Sequence, residues 1–274
     1  MPYVTIKSRQ IHYQDHGTGF PILFGHSFLW DSNMWKPQIE ELSKSYRCIV
    51  PDLWSHGLSD SPANSPYTIA QMAEDYWLLT KALGLEHFAI VGLSVGGMWG
   101  CQLALSHPEA VVALVMMDTF VGEEPEETHT RYFGMLDIVE QIGAIPPPMQ
   151  ESIIPLFFAI NTIQKNSALV SQFKKDLTAL PAERIPGVVG IGRGIFSRSS
   201  LLSQLNQIRM PTLIVVGAED NARPPHEAKQ MAEIISQAQL EVISHAGHIC
   251  NLEQPIQVNK LLSQFLSQAI NTDK

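Results

Sequence analysis

The 274-residue chain is 45% hydrophobic and 16% charged, a globular composition that excludes a disordered polymer. Its formal net charge of -9 leaves no basic footprint, which excludes nucleic acid and anionic membrane surfaces as expected partners and suits a small neutral or apolar ligand. No apolar run reaches the length of a membrane span and the N-terminus lacks the signature of a secretion signal, so a cytoplasmic protein is expected.

At this length one α/β domain carrying an insertion is expected. The chain opens with two alternating segments, Tyr3 to Ser8 and Gln10 to Asp15, which predict a hairpin with one wet face. Continuous apolar runs follow at Pro21 to Phe24 and Cys48 to Val50, the pattern of strands buried on both faces. Thr68 followed by Gln71 reads as a capping box opening a helix from Ile69 to Leu83, which Gly84 ends. Further apolar runs lie at Phe88 to Val91 and Val111 to Met117, separated by a plausible helix from Val95 to Ser106. From Phe120 to about Ile208 strand signals vanish, and an acidic "GEEPEE", a proline block "IPPP" and several amphipathic stretches predict a helical insertion over the sheet. Strand signals return at Thr212 to Val216 and, more weakly, at Leu240 to Ile243. Pro225 and Pro255 fit the first positions of helices running to about Ile235 and Ile270. The alternation predicts an α/β fold with a mostly parallel sheet covered by helices on both faces. Cys48, Cys101 and Cys250 are too few and too scattered for a disulfide framework or a zinc site, and read as small buried hydrophobes.

Gly92-Leu93-Ser94-Val95-Gly96 satisfies Gly-x-Ser-x-Gly between a strand and a helix. A turn that reverses sharply there holds the serine in a strained conformation, and glycines relieve the crowding. A serine hydroxyl needs a base, and the base needs an orienting acid. His248, after the last strand in "HAGHICNLEQP", is the candidate base, with His245 a structural neighbour. Asp220, after Thr212 to Val216, is the favoured acid, and Asp118, ending the strand before the insertion, competes with it. The order Ser94, Asp220, His248 is the Ser, Asp, His chain order of this strand-turn-helix arrangement. Two N–H donors for a developing oxyanion are expected from the backbones of Val95 and Phe28, with His26 and Ser27 shaping the second loop.

Four motifs recurring in order, "GHSF", "PDLWSHGLSD", "GLSVG" and the pair "GAED" and "HAGH", resemble the α/β-hydrolase fold family over essentially the whole chain. "GAEDNARPP" and "GHICNLEQP" look most like the branch of 3-oxoadipate enol-lactonases and related small-ester hydrolases. The resemblance implies an eight-stranded, mostly parallel sheet formed by residues 1–120 and 209–274, a helical cap at 121–208 inserted after the sixth strand, and no cofactor. It implies a serine esterase or lactonase working through an acyl-enzyme, with a small ester or lactone as partner, and leaves a homodimer open. The same triad also serves carbon–carbon hydrolases, perhydrolases and hydroxynitrile lyases, and a hydrolase-like receptor would bind a small ligand with little turnover. The family usually has glycine where this chain has Ser27 and Ser55. Ser27, Leu29, Trp30, Trp99, Phe120, Phe157, Phe158 and Phe196 are candidates for the pocket wall, and Arg193 for either a substrate carboxylate or a surface salt bridge.

Overall fold

The computed structural model describes residues 2–165 and 167–271. Eight strands form one sheet: β1 (Tyr3–Ile6), β2 (Arg9–His16), β3 (Phe20–Gly25), β4 (Tyr46–Pro51), β5 (Phe88–Leu93), β6 (Val111–Met117), β7 (Thr212–Gly217) and β8 (Ala238–Ile243). Their order is β1-β2-β4-β3-β5-β6-β7-β8. The opening hairpin pairs antiparallel and β2 meets β4 antiparallel, while every later pairing is parallel. The faint signal of β8 has a physical reason: it lies at the sheet edge and most of its side chains are wet.

Because side chains alternate along a strand, the buried strands feed two separate cores. Leu23, Ile49, Ile90, Leu114 and Ile214 point to one face, and Ile22, Val50, Val91, Val115 and Val215 to the other. Against the first face lie helices α2 (Ile69–Ala82), α3 (Val95–Ser106) and α9 (Pro225–Ile234). Against the second lie α1 (Lys36–Leu42) and the last helix, α11 (Pro255–Asn271). Each fully buried Leu, Ile or Val contributes about 1.5–3 kcal/mol. The Thr68–Gln71 capping box is complete in both directions, a cap of about 1 kcal/mol.

Between β6 and β7 run α4 (Glu126–Ile142), α5 (Pro147–Phe157), α6 (Ile160–Gln164), α7 (Ala168–Ala179) and α8 (Ile185–Phe196), then a 3₁₀ turn at Leu202–Gln207. The "IPPP" block starts α5, whose first turn tolerates proline because those N–H groups have no helical partner. A short helix α10 (Cys250–Glu253) follows β8. All three cysteines are free and buried, and burial pushes the Cys48 and Cys101 thiols up to about 12. Among the described residues no helix is long and apolar enough to cross a membrane.

Candidate active site

The turn from β5 into α3 places Ser94 at φ 57° and ψ -121°, a region a side chain rarely occupies. Such a residue costs about 1–3 kcal/mol, so its surroundings must hold it. The Ser94 N–H donates to the Met117 carbonyl at 2.9 Å, and the Ser94 carbonyl accepts from Gly97 N–H and the Thr119 hydroxyl at 2.9 and 2.7 Å. Glycine is required at two neighbouring points: a Cβ on Gly92 would collide with the Gly96 carbonyl, and one on Gly96 with the Gly25 carbonyl.

From this position Ser94 Oγ lies 2.9 Å from His248 Nε2, and His248 Nδ1 lies 2.9 Å from Asp220 Oδ2. A carboxylate only accepts, so Nδ1–H donates to it and Nε2 is left as acceptor for the Ser94 O–H. Asp220 Oδ1 is fixed by the N–H groups of Ala222 and Arg223 at 2.9 and 2.8 Å. The His248 loop is tied by Glu253, which accepts from Gly247 N–H at 2.6 Å and, from α5's far end, Ala159 N–H at 3.0 Å. Asp118 does not reach the histidine through these bonds. Its Oδ1 accepts from Gly217 N–H at 2.7 Å, and burial together with the nearby Asp220 charge pushes its carboxyl well above the usual range. His245 is an exposed turn residue at φ 58° whose carbonyl accepts from the Gln254 amide.

Two histidines clasp the neighbouring loops to each other. His26 Nδ1 faces the Ser27 carbonyl at 2.8 Å while its Nε2 accepts Leu53 N–H at 2.7 Å. His56 Nδ1 faces the Trp54 carbonyl at 2.8 Å while its Nε2 accepts Leu29 N–H at 3.2 Å, across the same gap in the other direction. Both rings must therefore be neutral and carry their proton on Nδ1. Burial drives the His56 pKa down to about 3, which preserves that state. Between these anchors the N–H of Phe28 forms no hydrogen bond within the protein among the described residues, and neither does that of Val95. Ser55, in the partner loop, sits at φ 64°, where glycine is favoured, and spends its hydroxyl on Ser61 Oγ at 3.1 Å.

Ser94 and His248 open into a cavity of about 110 Å³, walled by Ser27, Phe28 and Leu29 from below. Its roof comes from α4 (Met135, Leu136, Val139), α5 (Met149, Ile153, Phe157) and α8 (Val188, Ile195, Phe196), so it is apolar almost throughout. A family model described as the alpha/beta hydrolase fold matches residues 21–182 and 192–255. The chain belongs to the α/β-hydrolase fold family. The chain is similar to the RutD protein of Azorhizobium caulinodans, whose name ascribes it putative carbamate hydrolysis: 26% identity over 271 residues, 98% of this chain and 99% of that protein. It is similar to 3-oxoadipate enol-lactonase 2 of Acinetobacter baylyi, with 27% identity over 249 residues, 90% and 88% of the two chains. A solved thermophilic esterase from Thermogutta terrifontis, with malate bound, matches at a TM-score of 0.89 and 29% identity over 98% of both chains.

Of the eight residues expected in the pocket wall, Ser27, Leu29, Phe157 and Phe196 line the cavity and four do not. Trp99 is turned into the core beside Gly25 and stacks on Tyr76 at 4.2 Å. Phe120 is buried in the core on the same side as Trp99. Trp30 stacks on Phe173 at 4.6 Å and borders a second cavity with Asp31, His56 and Asp176. Phe158 packs edge-on against Phe173 and Trp30. Arg193 lies on the surface between Asp137 and Glu140, each at 2.8 Å, and so resolves as a salt bridge.

A buried ionic cluster is the part sequence reasoning missed. Glu124 accepts from Arg223 at 2.5 Å, Arg198 at 2.8 Å and the Thr128 hydroxyl at 2.6 Å, and Glu227 lies 3.7 Å from Arg223. Among the described residues, Glu124 and Arg223 form the only carboxylate and guanidinium on the cavity wall. Glu124 stands at the start of the helical insertion, Arg198 at its end, and Arg223 three residues after Asp220, so the cluster joins both ends of the insertion to the loop holding the acid. In sequence, Glu124 is hidden inside the acidic run "GEEPEE" that opens the insertion.

Proposed function

We propose that this protein is a serine hydrolase that cleaves a small carboxylic ester or lactone through an acyl-enzyme. The observation that carries the reading is the continuous row from Ser94 Oγ through His248 to Asp220, opening into an apolar cavity. Ser94 Oγ attacks the substrate carbonyl carbon while His248 Nε2 takes its proton, and Asp220 stabilises the imidazolium that forms. The tetrahedral oxygen, now negative, is held by the free N–H groups of Phe28 and Val95, the latter at the N-terminus of α3 where the helix dipole adds to it. Each such donor is typically worth about 3–4 kcal/mol of barrier. Collapse expels the alcohol or opens the ring, with His248 returning the proton to the departing oxygen. Water then attacks the acyl-enzyme by the same route in reverse.

The apolar roof selects an apolar acyl group, and the single catalytic row needs no cofactor. The experiment is hydrolysis of p-nitrophenyl esters of rising chain length and of neutral and acidic lactones, with Ser94→Ala as the blank and a fluorophosphonate to label Ser94. Turnover and labelling lost together in Ser94→Ala are expected. Undiminished turnover in that variant would overturn the reading, and cyanohydrin cleavage, peracid formation or carbon–carbon cleavage without ester hydrolysis would replace it by another reaction of the fold.

A further inference from the structure

The Ser27 backbone is not among those at positive φ, so nothing in the chain's path demands or forbids the side chain. Its main-chain groups are fully engaged. The N–H donates to Met34 Sδ at 3.3 Å, and the carbonyl accepts from His26 Nδ1 at 2.8 Å and from Trp30 N–H at 3.2 Å. The hydroxyl is the exception: Ser27 is fully buried, and among the described residues its Oγ has no hydrogen-bond partner. A buried hydroxyl without a partner is unfavourable, and alanine would fill the same space without that cost. Ser27 also lines the cavity that holds Ser94 and His248, and it directly precedes Phe28, whose N–H is free.

We propose that the Ser27 hydroxyl is a third donor to the substrate oxygen that becomes negative during the reaction, completing with Phe28 and Val95 N–H a three-point oxyanion site. The proposal rests on the reading of Ser94 as nucleophile. In the free protein the hydroxyl is held by a turn whose carbonyl is locked by His26, so it loses little freedom when the substrate arrives. The acceptors of the reacting centre sort accordingly. Ser94 Oγ and His248 Nε2 satisfy each other at 2.9 Å, and the departing oxygen is served by His248. The carbonyl oxygen, which gains a full charge and can accept three hydrogen bonds, is the acceptor left for Ser27. A donor unpaired in the ground state and paired in the transition state lowers the barrier without tightening substrate binding.

The test uses Ser27→Ala and Ser27→Gly in the full chain, with p-nitrophenyl butyrate as substrate and an alkyl trifluoromethyl ketone as probe. That ketone adds Ser94 Oγ to its carbonyl carbon and places the resulting negative oxygen in the same site. Removal of one oxyanion donor elsewhere costs about 100- to 1,000-fold in kcat. With two backbone donors retained, roughly a 10- to 100-fold fall in kcat is expected in both variants, KM changing less than about two-fold. Inhibition by the ketone should weaken by the same factor as kcat/KM. The melting temperature of Ser27→Ala should not fall, because the variant buries no unpaired hydroxyl.

Unchanged kcat and ketone affinity in Ser27→Ala would overturn the proposal, and an altered chain-length preference confined to Ser27→Gly would assign the side chain to the wall instead. A lowered melting temperature in Ser27→Ala would also overturn it, by showing that the hydroxyl already has a partner in the free protein. Ser94→Ala separates the two readings. If that variant stays active the nucleophile assignment itself fails, whereas an inactive Ser94→Ala beside a fully active Ser27→Ala removes the third donor alone.

Discussion

Replacing Glu124 by glutamine removes one charge from the centre of the buried cluster while keeping the shape of the side chain. The guanidiniums of Arg198 and Arg223 are 3% and 6% exposed, so neither can turn to water when their shared carboxylate is gone. Removing one partner from a buried ion pair typically costs about 3–5 kcal/mol, chiefly the penalty of the stranded charge. The entropy of unfolding near the melting temperature is about 2.1 cal/mol/K per residue, which for this chain length translates the loss into a melting temperature lower by roughly 5–9 °C. Scanning calorimetry at pH 8 measures it directly. Because the same Arg223 supplies a backbone N–H to Asp220 Oδ1, ester turnover should fall as well. A companion in which Glu124, Arg198, Arg223 and Glu227 are replaced together by uncharged residues should recover most of the lost stability, since none of the cluster's charges is then left buried. A Glu124→Gln protein that melts within about 1 °C of the parent would refute the view that this cluster staples the insertion to the core.

Asp220→Asn should lower kcat by about 10⁴-fold with a small change in KM, because the histidine then loses the acceptor that fixes its tautomer. Adding Asp118→Asn should change little further, since Asp118 Oδ1 is committed to Gly217. For Glu227, burial outweighs the pull of Arg223 and Arg198 and lifts the carboxyl from 4.5 to about 7. The folded state therefore holds this proton more tightly than the unfolded one, and the associated stability is present below pH 4.5 and lost as pH rises through about 7. Denaturant midpoints of Glu227→Gln measured from pH 4.5 to 8 should show a shallower decline than the parent's, and parallel curves would rule this out. His56→Ala strands the Leu29 N–H, and should cost about 1–3 kcal/mol of stability in urea titrations and reduce kcat by loosening the Phe28 N–H.

What could be read from the sequence divides along the range of the interactions involved. The elbow around Ser94 is local: strand, glycines and helix lie within a few residues, and their steric logic does not depend on the remainder of the chain. The parallel sheet was legible for a similar reason, since a strand buried on both faces writes its environment into consecutive residues such as Ile90 and Val91. The cavity wall was not, because an aromatic on a helix belongs to whichever neighbour its face meets. Trp99 lies one turn beyond Val95, yet it turns toward Tyr76 and away from the cavity. The aliphatic roof from Met135, Leu136 and Ile153 read simply as amphipathic helix. Glu124 and its two arginines lie 74 and 99 residues apart in the chain, a separation at which periodicity carries no information. Only the fold's closure makes them neighbours.

His248 lies 154 positions after Ser94 in the chain, and its loop follows β8, the edge strand that pairs with β7. The row from Ser94 to Asp220 thus depends on the whole sheet: His248 reaches Ser94 only when β8 is in place beside β7. A chain interrupted anywhere before that edge strand carries the strained serine with nothing to withdraw its proton. Turnover would then report that β8 and the loop after it are in place, which helical signal alone does not.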